Sequence, residues 1–141
     1  MKRWAWMLVA SVVLFGSSAC FQTNRVDIAL ANGIAVASNS ALQMLVRAYQ
    51  EEGSRAIEKA NSREEAERAL AGIQQKWEPV WAAWAILKGA HDTWANALET
   101  GNQQEAALGV FRAAYCGLMD VWPETVPAAP LAPVDCGGLN G

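Results

Sequence analysis

Between Ala66 and Leu98 the chain sets Ala66, Leu70, Ile73, Trp77, Val80, Trp84, Leu87, His91, Trp94 and Leu98 at alternating spacings of four and three residues. Such a run keeps one stripe of a helix apolar over more than four heptads, and only a helical partner running alongside covers a stripe that long. The pattern predicts a helix over 63–99. Ser62 followed by Glu65 is a capping box that marks its start, and Gly101 marks its stop. Pro79 lies inside. It removes one backbone hydrogen bond and predicts a kink, but the stripe keeps its phase across it, so the expectation is one long helix.

Two further helices follow from the same period. Residues 25–60 carry one stripe at Leu30, Ile34, Ala37, Ala41, Met44 and Ala48 and a neighbouring one at Leu42, Leu45, Tyr49 and Ala56. Residues 103–122 carry Leu108, Phe111, Tyr115, Leu118 and Trp122, with Asn102 and Glu105 as the N-terminal capping pair and Pro123 as the terminator. The reading is an all-α fold: an antiparallel hairpin of two long helices, a shorter third helix completing a three-helix bundle, and a proline-rich tail over 123–141. Four of the five prolines fall in that tail. Pro127, Pro130 and Pro133 recur every third residue and would line one face of a polyproline II helix, either as a partner ligand or as a strap lying on the bundle.

Helix lengths set which residues meet. The first two helices are about 50 Å long and the third about 30 Å. Joined by short turns, neighbours run antiparallel, so the third helix starts beside Leu98 and descends past Trp84 toward Trp77 and Val80. Residues 26–46 contain a single charge, Asp27, as expected of a helix covered by two partners. Residues 47–68 contain eleven charges, which suits a hairpin tip with no third helix over it. The charged tip is the natural docking place for a protein partner, and a second copy of the chain is another candidate to cover its stripe residues.

The beginning of the chain reads as an address. Lys2 and Arg3 precede an uncharged, mostly apolar run from Trp4 to Gly16, and Ser17-Ser18-Ala19 stands before Cys20. Basic, apolar, then small is the order of a secretory signal peptide over 1–19. The Ser18-Ala19-Cys20 ending resembles the lipobox of bacterial lipoproteins, with Ser17 where leucine is usual. The resemblance implies an acylated Cys20 as the first residue of a chain spanning 20–141, with 20–24 as a short linker to the membrane. Phe21 in place of an aspartate implies outer-membrane sorting, facing the periplasm. Ordinary cleavage after Ala19, giving a soluble secreted helical domain, and an uncleaved anchor are the alternatives. Loss of residues 1–19 removes Lys2 and Arg3 and takes the formal charge from −3 to −5, which disfavours a nucleic-acid grip.

Signal, helices and proline tail together are similar to the short alanine-rich helical lipoproteins encoded by bacteriophages and prophages. That similarity implies a structural or protein-interaction role at the envelope, in lysis or in exclusion of other phages.

Few residues offer chemistry. Beyond Cys20 the remaining cysteines are Cys116 and Cys136. In an oxidising compartment an even pair forms a disulfide, here closing a loop of about 20 residues and contributing about 3 kcal/mol. Trp81, Trp84, Lys88 and His91 share one region of the long helix and are the candidate residues for a small-ligand site in a tryptophan-rich core, with a cation–π contact between Lys88 and Trp84. The plainer reading of Trp77, Trp84 and Trp94 is core filling, and of His91 a stripe residue hydrogen-bonded across the bundle. No metal-ligand spacing, catalytic triad or cofactor motif is present in the sequence, so the reading is a non-enzymatic protein with no cofactor.

Overall fold

A computed structural model describes the backbone of residues 2–127 and of Cys136, and the side chains of Arg25, residues 27–127 and Cys136. Among the described residues three helices follow in order: α1 (Lys2–Lys59), α2 (Arg63–Thr100) and α3 (Gln104–Asp120). Among the described residues there is no strand. The three-helix bundle read from the sequence is therefore the architecture. The first helix begins far upstream of residue 25, and α3 stops two residues short of Trp122. The proposed signal segment, Cys20, and all of the tail from 128 onward except Cys136 lie outside the residues whose side chains are described.

The turns follow from local chemistry at one junction and depart from it at the other. At the start of α2, Ser62 Oγ accepts from the Glu65 amide at 3.2 Å, and Glu65 Oε2 reaches back to the Asn61 amide at 2.9 Å. The capping box is formed as expected, with its return bond one residue earlier than usual. Gly101 ends α2 in the left-handed region, φ 74°, and its amide donates to the Ala97 carbonyl at 2.9 Å. The expected cap on Asn102 is not made. Gln103 is the N-cap of α3, in the left-handed region at φ 53°, with no side-chain cap bond. Two left-handed residues in a three-residue turn reverse the chain before Asn102 can reach a free amide. Helix α2 runs unbroken through Pro79.

Packing centres on α2. Its stripe residues Trp77, Val80, Leu87, Trp94 and Leu98 are buried, with α1 on one side and α3 on the other. The first core cluster joins Ala31, Ile34 and Ala41 of α1, Leu87, Trp94 and Leu98 of α2, and Phe111, Tyr115 and Leu118 of α3. Trp94 and Phe111 stack there at 5.2 Å between centroids, matching the expected antiparallel register of α2 and α3. The second cluster lies lower, where α3 has ended. Leu45, Trp77 and Val80 are closed there by Val126, which the turn Pro123–Val126 brings inward. Trp122 Nε1 donates to the Val126 carbonyl at 3.0 Å and locks that turn. The start of the tail is thus a wall of the core, a closer engagement than the strap lying on the bundle that the sequence suggested. The Cys116–Cys136 disulfide, with Cα atoms 5.6 Å apart, ties the tail back to α3.

One expectation fails. Residues 26–46 were read as covered by two helices, yet no Cα of α1 comes within 8 Å of one in α3 among the described residues. Both helices lean on α2 and leave the outward face of α1 open: Leu30 is 44% exposed and Val36 68%. On that face the scarcity of charge does not reflect burial, and among the described residues nothing covers Leu30 or Val36. By length and composition alone, Asp27–Lys59 is long and apolar enough to cross a membrane. Here its inner face packs on α2 instead.

Candidate functional site

Trp84, Lys88 and His91 come together as the sequence suggested, and Trp81 does not join them. The three line a cleft between α1 and α2, together with Ala35, Ser38, Asn39 and Leu42 from α1 and Leu87 and Asp92 from α2. The helical rise explains the grouping, because residues 84, 88 and 91 are one turn apart on one face. Trp81 points along the neighbouring face. It stacks on Trp77 at 5.6 Å and meets the edge of Tyr49 at 5.8 Å, so it belongs to the second core cluster.

His91 is held from three sides. Its Nε2 lies 2.9 Å from the carbonyl of Ala31 across the helix pair. Its ring meets Trp94 and Phe111 edge-on, at 6.3 and 6.0 Å. The plainer sequence reading, a stripe histidine bonded across the bundle, is what the structure contains. Because a carbonyl only accepts, Nε2 carries the proton. Nδ1 then faces Asp92, with Oδ1 3.7 Å away.

Lys88 does not form the suggested cation–π contact with Trp84. Its Nζ donates to Asp92 Oδ2 at 2.6 Å. That bond, set against a smaller cost of burial, keeps the Asp92 carboxyl below the usual aspartate range. Ser38 and Asn39 went unnoticed in the sequence reading, since each looks like an ordinary surface residue until α1 and α2 are placed side by side.

A second polar focus lies lower on the same helix pair. Glu52 of α1 accepts from Lys76 Nζ at 2.7 Å and from Trp77 Nε1 at 2.8 Å. The Lys76 bond chiefly, then the Trp77 bond, lowers the Glu52 pKa. This satisfies the polar edge of a tryptophan whose indole is otherwise buried, and pins α1 to α2 where the charged tip begins. Beyond it the tip charges pair locally, Arg55 with Glu51 at 3.0 Å and Arg63 with Glu67 at 2.8 Å.

A larger, more open groove of about 410 Å³ runs between α1 and the start of α3, over Trp94 and Leu98, with Asp27, Glu105 and Arg112 on its rim. Among the described residues, no group of three or more His, Cys, Asp or Glu side chains converges as a metal site would require. No family model matches the chain, and neither a curated protein nor a solved structure matches it.

Proposed function

We propose that the chain is a lipid-anchored helical protein of the cell envelope whose work is structural or by contact with a protein partner. The observation that carries this is the order of Lys2 and Arg3, the apolar run 4–16 and Ser18-Ala19-Cys20. A bonded Cys116–Cys136 pair supports it, since disulfides persist in oxidising compartments outside the cytoplasm. In this reading Cys20 is acylated, Phe21 sorts the protein to the outer membrane, and the bundle faces the periplasm. A bacteriophage or prophage origin, with a role in lysis or exclusion, fits the same signal and helical composition. Catalysis is not part of this reading.

The partner surface in this reading is the hairpin tip, 47–68. Half of its residues are charged, and Ile57 and Leu70 beside them are 53% and 37% exposed. With the N-terminal end at the membrane and the axis upright, the tip stands about 50 Å from the lipid, by the rise of an α-helix.

The intact mass of the membrane-extracted protein tests the anchor, beside a Cys20→Ser variant. The expected species is residues 20–141 plus acyl groups, lost in the variant. An unmodified 20–141 species in the soluble fraction would contradict the anchor and leave a free secreted domain.

A further inference from the structure

We propose that the open groove between α1 and α3 binds a linear zwitterion, an aliphatic chain of about eight carbons with an ammonium at one end and a carboxylate at the other. The inference goes beyond the envelope reading and does not depend on how the chain is tethered.

The register of the helices places the charges. Both α1 and α3 run antiparallel to α2 and hence parallel to each other. His91 touches both, with Nε2 2.9 Å from the Ala31 carbonyl and its ring 6.0 Å from that of Phe111, so Ala31 and Phe111 mark one level. Asp27 stands about one turn above that level on α1 and Glu105 nearly two turns above it on α3, while Arg112 follows Phe111 directly. The groove therefore has two carboxylates at one end and a guanidinium at the other, about 10 Å apart along the axis. Seven residues apart on α3, Glu105 and Arg112 exceed the three- or four-residue spacing at which helix charges pair. Among the described residues none of the three belongs to an ion pair.

Between the charged ends the surface is apolar. Trp94, Leu98 and Phe111 form a floor that neighbouring helices hold in place, and Leu30 stands over it from α1, 44% exposed. The volume of about 410 Å³ lies within the range of small-molecule clefts, which begins near about 300 Å³. A fatty acid would set its carboxylate on Arg112 and press its methyl end against Asp27 and Glu105, taking water from charges it cannot pair. An alkylamine would meet the same cost at Arg112. A chain charged at both ends pairs with each and lays its methylenes on the floor. An extended chain gains about 1.2 Å per bond, so about eight bonds span the two ends.

The test is a titration of the full-length protein with ω-aminooctanoic acid, followed by the indole N–H resonance of Trp94 and the Nε–H resonance of Arg112. The amide of that acid, which keeps only the ammonium, and its N-acetyl derivative, which keeps only the carboxylate, are the controls. The zwitterion is expected to shift both resonances saturably, and each control to bind about two- to fivefold more weakly, the worth of one exposed ion pair. γ-Aminobutyric acid carries both charges but cannot reach both ends, and should bind no better than the controls. Arg112→Gln, at an exposed position, should abolish the preference for the zwitterion over its amide with the helical melt intact. Asp27→Asn combined with Glu105→Gln should abolish the preference over the N-acetyl derivative. No saturable shift up to the solubility of the ligand, equal binding of either single-charge derivative, or an undiminished preference in folded Arg112→Gln would each overturn the proposal.

Discussion

The two ends of the helix pair carry the same apolar stripe and give it different surroundings. At the closed end, Trp94, Leu98, Phe111 and Leu118 are almost fully buried between three helices. At the tip, Leu70 continues the stripe against Gly53 of α1, and Leu70 and Ile57 stay exposed. Between them, around Trp77, the third wall is a turn of the tail carrying Val126 rather than a helix. A heptad stripe thus says which side of a helix wants cover. Whether cover arrives depends on how far the neighbouring element reaches.

The contrast can be broken from either end. Phe111→Ala should be the costliest change, about 3–5 kcal/mol in a denaturant melt, because it opens a cavity beside Trp94 and His91 at a site with no room to relax. Leu70→Ala, on the same stripe at the tip, should cost under about 1 kcal/mol, since most of what it removes is already in water. Equal costs would end the distinction. Next in size, Cys136→Ser should cost about 3 kcal/mol by releasing the loop closed from Cys116. Freed of that tether, Val126 should loosen, and the fluorescence of Trp77 should shift to the red while that of Trp94 does not. Ser62→Ala removes the cap at the tip and should cost about 1 kcal/mol, read by the same melt.

The Glu52 clamp sharpens the boundary between the regions through pH. Its folded pKa is lowered, so its contribution is complete above the ordinary glutamate value and disappears as pH falls through the lower, folded one. Stability should therefore decline on acidification below about pH 4. Glu52→Gln should flatten that part of the profile, and the indole N–H resonance of Trp77 should move with it. Glu52 is partly exposed, so the effect should be small.

Much of this arrangement was legible from residue spacing. The alternation from Ala66 to Leu98 located α2, Ser62 with Glu65 located its start, and antiparallel lengths started the third helix beside Leu98. The misreadings share a cause: each concerned which neighbour arrives. The run 26–46, with Asp27 its single charge, looked covered because scarcity of charge resembles burial, yet Val36 faces outward. Asn102 looked like a cap because its residue type is right, but Gly101 and Gln103 take the left-handed conformations that set the turn. Trp81 and Trp84 are indistinguishable by type, and only the placement of α1 sends one to Tyr49 and the other to His91. Val126 has no periodic companions, so a single anchoring residue in a proline-rich tail leaves no pattern to find.

Residue-resolved amide hydrogen exchange on the full-length protein tests the two-region account most directly. Amides of 87–98 and 111–118 should exchange only through global unfolding. Those of 53–70 should exchange through local opening at much lower free energy, since their helices lack a third wall. Equal protection at the tip and in the three-helix core would contradict the account and show that the exposed stripe at Ile57 and Leu70 is covered by another molecule.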